Sequence, residues 1–157
     1  MTRRLLILER LAALAAVVTR ANGFASDAGL HVYLGAAPEL GPDDPDEAIA
    51  IVPREDVTSE PNYQNVDLPV EIQAIAKATI TEPWIAVEAL LGAIKLAIEL
   101  EDRTLGSLLK GRMSRGSTRP LERPPGSTTI GLGVTYRCPY VEPWGNPAIG
   151  VPTEEST

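Results

Sequence analysis

The sequence predicts an α+β fold of two layers, with a mainly antiparallel four- to five-stranded sheet, two main helices packed on one face, and extended loops or arms. Three stretches carry this expectation. From Asn65 to Lys77 every even position is apolar (Val66, Leu68, Val70, Ile72, Ala74, Ala76), and the odd positions are mostly polar (Asp67, Glu71, Gln73, Lys77). Period two of this length describes a strand with one buried and one wet face. From Glu82 to Glu101 the spacing becomes helical, with Trp84, Val87, Leu91, Ile94 and Ile98 three or four apart and Leu90 widening the stripe. From Thr128 to Tyr140 period two returns, as Ile130, Leu132, Val134, Tyr136, Cys138 and Tyr140 alternate with Thr129, Gly131, Gly133, Thr135 and Arg137.

The elements follow in order. Arg3 to Ala21 predicts a helix with a stripe of Leu5, Leu8, Leu11 or Ala12, Ala15 and Val18, stopped by Asn22-Gly23. Arg3-Arg4 before an apolar run also suits a secretory signal, but Glu9-Arg10 splits the run, so the helix is the reading. Leu30 to Leu34 and Ala48 to Pro53 predict short strands, separated by a loop with Pro38, Pro42 and Pro45 among acids. Arg54 to Pro61 is polar and predicts an arm that is mobile or ordered only by a partner. Pro69, which cannot donate to a ladder, predicts an edge or a bulge in its strand. Thr81 is the candidate cap of the second helix and Pro83 suits its first turn. Arg103 to Lys110 predicts a short helix or turn. Gly111 to Glu122 has little to bury and can form a long, exposed hairpin with the last strand across Pro124-Pro125-Gly126. Residues 1–141 form one domain in this reading, and 142–157 a C-terminal arm with Trp144 docked on a neighbour.

Composition bounds the function. A chain of 157 residues with 44% hydrophobic and only 4% aromatic residues builds an aliphatic core. No stretch approaches the roughly 18 apolar residues of a membrane span. The single cysteine, Cys138, excludes an internal disulfide, suggests a reducing compartment, and falls on an apolar strand face. The net charge of −7 disfavours general nucleic-acid binding. The charge is uneven: residues 39–60 hold eight acids and one base, Arg54, whereas residues 103–123 hold six bases and one acid, Glu122. These are either solvated loops or opposite patches that meet across copies of the chain.

Catalytic signatures are missing from the sequence. There is no nucleophile elbow, no phosphate loop, and Gly131-Leu132-Gly133 is only strand alternation. One histidine, His31, and one cysteine do not make a zinc site. Asp43, Asp44, Asp46 and Glu47 lack calcium-loop spacing and read as a solvated acidic turn. The expectation is a protein without cofactor or metal that is not an enzyme.

An ordered set of local patterns carries a resemblance. It comprises the opening helix ending in Ala21-Asn22-Gly23; Val32-Tyr33-Leu34-Gly35; Leu68-Pro69-Val70-Glu71; Pro83-Trp84 opening a helix with Ala89-Leu90-Leu91-Gly92-Ala93-Ile94-Lys95; Thr104-Leu105-Gly106; and Tyr140 to Pro147. In this order they resemble the tail terminator (tail completion or head-tail joining) proteins of long-tailed bacteriophages, over roughly Leu5 to Pro147. The resemblance implies a virion protein at the tail-neck junction, made in the host cytoplasm. It implies a ring, expected to be a hexamer, that caps the tail tube, ends its polymerisation and joins the head connector or head-closure protein. DNA would pass through the lumen without specific binding, and no membrane partner is implied. The alternatives are another neck component, such as a head-closure protein, and a small ligand-binding α+β domain. Candidate subunit-interface residues are Arg112, Arg115, Arg119 and Arg123 on the basic side, Asp43, Asp44, Asp46 and Glu47 on the acidic side, and Trp144. The arginines can alternatively form a solvated hairpin or line a DNA channel.

Overall fold

In the computed structural model, which describes residues 1–36, 39–58 and 63–147, two helices cover one face of an open six-stranded sheet. The elements are α1 (Arg3–Ala15), β1 (Val32–Leu34), β2 (Glu47–Pro53), β3 (Val57–Thr58), β4 (Tyr63–Lys77), α2 (Pro83–Glu99), β5 (Ser114–Pro120) and β6 (Thr129–Pro143). The strands lie in the order β1-β2-β4-β6-β5, with β3 pairing β4 beyond the end of β2. All pairs are antiparallel except β1 with β2, so the sheet is mixed and has one strand more than the upper expectation. Pro38, Pro61 and the arm beyond Pro147 lie outside the described residues.

The core follows from the parity of β4 and β6, which pair along their whole length from Tyr63↔Pro143 to Lys77↔Thr129. Residues directly opposite in a ladder share a face. Val66, Leu68, Val70, Ile72, Ala74 and Ala76 therefore join Leu132, Val134, Tyr136, Cys138 and Tyr140 in one apolar surface. Ile7, Leu8, Leu11, Leu14 and Ala15 pack onto it from α1, Val18 from the turn that follows, and Val87, Leu90, Leu91, Ile94, Ala97 and Ile98 from α2. Each fully buried aliphatic side chain contributes roughly 1.5–3 kcal/mol. Tyr136 buries its ring and donates its hydroxyl to Glu99 Oε2 at 2.6 Å, so its one polar atom is satisfied inside the helix–sheet interface.

Several expectations are corrected. The first helix stops at Ala15, six residues before Ala21, because the backbone of Gly29 closes against its end. The Gly29 N–H donates to the Val18 carbonyl at 2.8 Å, and a Cβ there would lie 2.6 Å from the same oxygen. The glycine stop is real but serves the following turn, where Gly23 has φ +89°. Leu5 is partly exposed and Ile7 replaces it in the stripe. Thr81 does not cap α2; the chain enters through Glu82 in the left-handed region, φ 51°, with no side-chain cap bond, while Pro83 does open the first turn. Trp84 is not a core residue and stands half exposed on the flank of α2.

Pro69 lies in the interior strand β4, not at a sheet edge. Its carbonyl accepts from Arg54 N–H at 2.8 Å, so its nitrogen faces the same side, into the gap where β2 has ended at Pro53 and β3 has not begun. The missing donor therefore leaves no ladder bond unmade.

The stretch 103–110 is a series of turns, not a helix, built around Asp102, whose carboxylate accepts from Thr104 N–H, Thr104 Oγ1 and Gly106 N–H. β5 does form the expected exposed hairpin with β6, and β6 runs to Pro143, taking in the first two residues of the expected arm. The Arg3 N–H donates to the Pro147 carbonyl at 3.2 Å, which holds the start of that arm on α1.

Cys138 tests this core. Burial pushes its thiol up to about 12. A disulfide reagent at mildly alkaline pH is expected to label the native chain at least ~100-fold more slowly than the denatured chain. Immediate labelling of native protein would contradict the placement of β6 beneath the helices.

Candidate assembly surface

The second face of the sheet carries no helix, and ion pairs occupy its centre. The odd positions of β4 and β6 point there. At its centre Glu71 is 1% exposed. Its Oε1 accepts from Gln73 Nε2 at 2.9 Å, from Arg119 Nη2 at 3.1 Å and from Arg54 Nη2; its Oε2 accepts from Arg119 Nε at 2.8 Å. Burial by itself would raise the carboxyl pKa, but the Gln73 amide and the two guanidinium groups outweigh it and hold the group below its ordinary value. One carboxylate on β4 thus gathers the chain just after β2 and the edge strand β5.

Two features of the sequence make room for this cluster. Gly133 lies beside Glu71, and a Cβ built on it would fall 2.6 Å from the Glu71 Cδ. Gly131 does the same for Leu121 and Ile75, with a Cβ only 2.6 Å from Leu121 Cδ1. Leu121 and Ile75 belong to a small second core with Leu40, Ala48 and Tyr33. The two glycines read in the sequence as mere alternation are clearances for bulky neighbours.

The register of β5 places its arginines. Arg115 pairs Tyr136, but Thr118 pairs Val134, so a bulge adds one residue between them. Four residues apart in a regular strand, Arg115 and Arg119 would share a face. With the bulge, Arg115 turns toward α2 and meets Glu99 at 3.4 Å, while Arg119 turns to the open face and meets Glu71. A single-residue slip exchanges the faces of everything that follows.

The other candidate interface residues are distributed as follows. Arg123 meets Glu39 at 3.5 Å, and Glu39 also accepts from the hydroxyls of Ser127 and Thr128, which bring it below its ordinary range. Arg112 is exposed and lines a shallow hollow with Glu99, Glu101 and Asp102. Asp44 accepts from Gly41 N–H at 2.6 Å, Asp46 pairs Lys77 at 3.5 Å, and Asp43 is exposed. Glu47 accepts from Ser26 Oγ at 3.2 Å; burial is the larger influence and raises it. Trp144 is exposed in the turn that follows β6. The acidic turn sits beside Lys77 and Thr129, at one end of the central pair, whereas Ser114 and Arg115 lie opposite Arg137 and Tyr136. That is about seven strand residues away, or roughly 23 Å. The structure therefore brings Arg119 and Arg123 near the open-face acids and keeps Arg112 and Arg115 apart from the acidic turn. Glu71, Arg54, Gly131 and Gly133 belong to the surface but were not among the candidates.

Among the described residues no group of three metal-ligating side chains occurs, and no helix is long and apolar enough to cross a membrane. The chain matches no known family model and no curated protein.

Two outcomes test the cluster. Gly133→Ala is expected to cost about 2–3 kcal/mol, because its methyl overpacks the Glu71 carboxylate. In a Glu71→Ser background the same change is expected to cost less than about 1 kcal/mol. Denaturant unfolding of the four proteins measures this coupling, and additive costs would contradict the contact. Deleting Ser117 removes the extra residue of the bulge and is expected to weaken unfolding stability at least as much as Arg119→Ala. A deletion without effect would show that β5 does not set the face of Arg119.

Proposed function

We propose that the chain is a structural virion protein that caps the tail tube of a long-tailed bacteriophage as a ring, ends tube polymerisation and joins the tail to the head connector. The observation that supports this reading best is an open sheet with two unlike edges. At one edge is β1, three residues long, with Leu34 exposed; at the other is β5, seven residues, all exposed and bearing Arg115 and Arg119. A contact between unlike surfaces of identical subunits is head-to-tail, and it yields a ring whenever the rotation closes. The ordered sequence resemblance names the ring, and the fold supplies a subunit suited to one.

The ion pairs bear on the lumen. Arg115, Arg119 and Arg123 each meet a carboxylate of their own chain. Arginines neutralised in this way add little to the phosphate contacts that would grip DNA, which suits a passage through which DNA slides. Arg112 and Asp43, exposed on different parts of the chain, are left to serve contacts between subunits.

The test is the mass of the purified chain by light scattering, alone and with tail tubes, together with negative-stain images of the tubes. The expected result is a ring-sized species or a cap at one tube end, and growing tubes that stop when the protein is added. Arg112→Glu is expected to weaken capping at least ~3-fold, as loss of one intersubunit pair would. A monomer that ignores tubes would overturn the proposal, and binding to connector rings instead would favour a head-closure protein.

A further inference from the structure

We infer that the outer face of α2 is a self-association surface that takes a second copy of this chain in a two-fold, antiparallel helix pair. α2 is apolar nearly all round. Opposite its buried face a second line of apolar and small residues is exposed: Ile85 at 63%, Ala89, Gly92, Leu96 at 50% and the C-cap Leu100 at 76%. The spacings of four, three, four and four keep these residues on one side of the helix. A helix that is hydrophobic on both sides is normally covered on both. With Trp84 on its flank, the line exposes on the order of 500 Å² of apolar surface, the size of patch that marks an interaction site.

The line is complementary to itself. Its midpoint falls between Gly92 and Ala93. An antiparallel copy centred there sets Ile85 against Leu100 of the second copy, and small Ala89 against large Leu96. Gly92 lies at the crossing, where a Cβ would meet nothing within 4 Å, so two backbones can approach closely.

Charge points to the same partner and direction. Glu88, Lys95 and Glu99 are the charges on one flank of the line; Glu99 is held by Tyr136 and Arg115, whereas among the described residues neither the Glu88 nor the Lys95 side chain has an ion pair or hydrogen bond. A two-fold axis at the midpoint places the same flanks of both helices side by side. Glu88 of each copy then comes within about 3 Å, along the axis, of Lys95 of the other. A parallel pairing would instead put the Glu88 and Lys95 flanks of the two copies on opposite sides of the seam, leaving these charges without partners across it. Two opposite-charge pairs thus flank one apolar seam and select the antiparallel arrangement.

This contact differs from ring closure and does not rest on the tail-tube reading. A two-fold contact uses the same patch on both chains, whereas a ring needs unlike patches. Its area is below the roughly 800 Å² per partner of a stable interface, so the dimer is expected at protein concentrations of about 50–500 µM.

Sedimentation velocity of the full chain alone, over about 10–500 µM, tests the inference. The expected result is a shift from monomer toward twice the monomer mass. Leu96→Glu is expected to abolish the shift while leaving the circular dichroism unchanged, because Leu96 is half exposed. Glu88→Lys is expected to weaken association at least ~3-fold, and adding Lys95→Glu to restore it, as opposite charges exchanged across the seam would. Gly92→Cys, close to the two-fold axis, is expected to give a disulfide-linked dimer on mild oxidation. A wild-type chain that stays monomeric throughout, association that survives Leu96→Glu, or a Gly92→Cys chain that does not cross-link would each overturn the inference. Failure of tube capping would leave these outcomes unchanged.

Discussion

The open face of the sheet depends on one buried carboxylate. Glu71 sits in the central strand where no helix covers it, and its charge would be prohibitive there without partners. Arg54, Arg119 and Gln73 supply them, and Gly133 supplies the space. These partners come from the end of β2, the edge strand β5 and β4 itself, so one group fixes three segments. Such clusters add little net stability compared with apolar packing, but removing one partner is costly because a buried charge is left alone. The value of this cluster lies in register. β5 is exposed along its length and has little apolar burial to hold it, and the bulge must be in place before Arg119 can reach Glu71.

The helical face follows a different rule. Its cohesion is apolar, it spans β2, β4 and β6, and it leaves Cys138 and Tyr136 without access to water. The molecule thus has a buried, aliphatic layer and a charged layer with open edges. The first layer keeps the fold, while the second carries polar and edge surfaces that the chain itself leaves open. The outer side of α2 is the exception, since it exposes an apolar line that the fold itself leaves uncovered.

The layers were legible in the sequence because long elements bury one face and so print their period. β4, α2 and β6 were read nearly to their ends. What escaped depends on contacts distant in the chain. The end of α1 is set by Gly29, the tolerance of Pro69 by the gap between β2 and β3, and the exposure of Trp84 by which side of α2 meets the sheet. The parallel pairing of β1 carries no local signal. The open-face cluster was half visible: Glu71 was read as a wet position, yet two glycines at alternate positions of the opposing strand signalled that something large must fit over them. The bulge in β5 could not be read, because Arg115 and Arg119 share parity in the sequence and part only through pairing with β6.

The most direct measurement of the central claim is the titration of the Glu71 side-chain carboxyl by carbon-detected nuclear magnetic resonance. The ordinary glutamate value is about 4.3. The account expects a lower one, with the cluster's stabilisation present above the ordinary range and lost as pH falls through the lowered value. A midpoint at or above the ordinary value would mean that burial dominates, that the arginines do not hold the group, and that the open face is organised by something else.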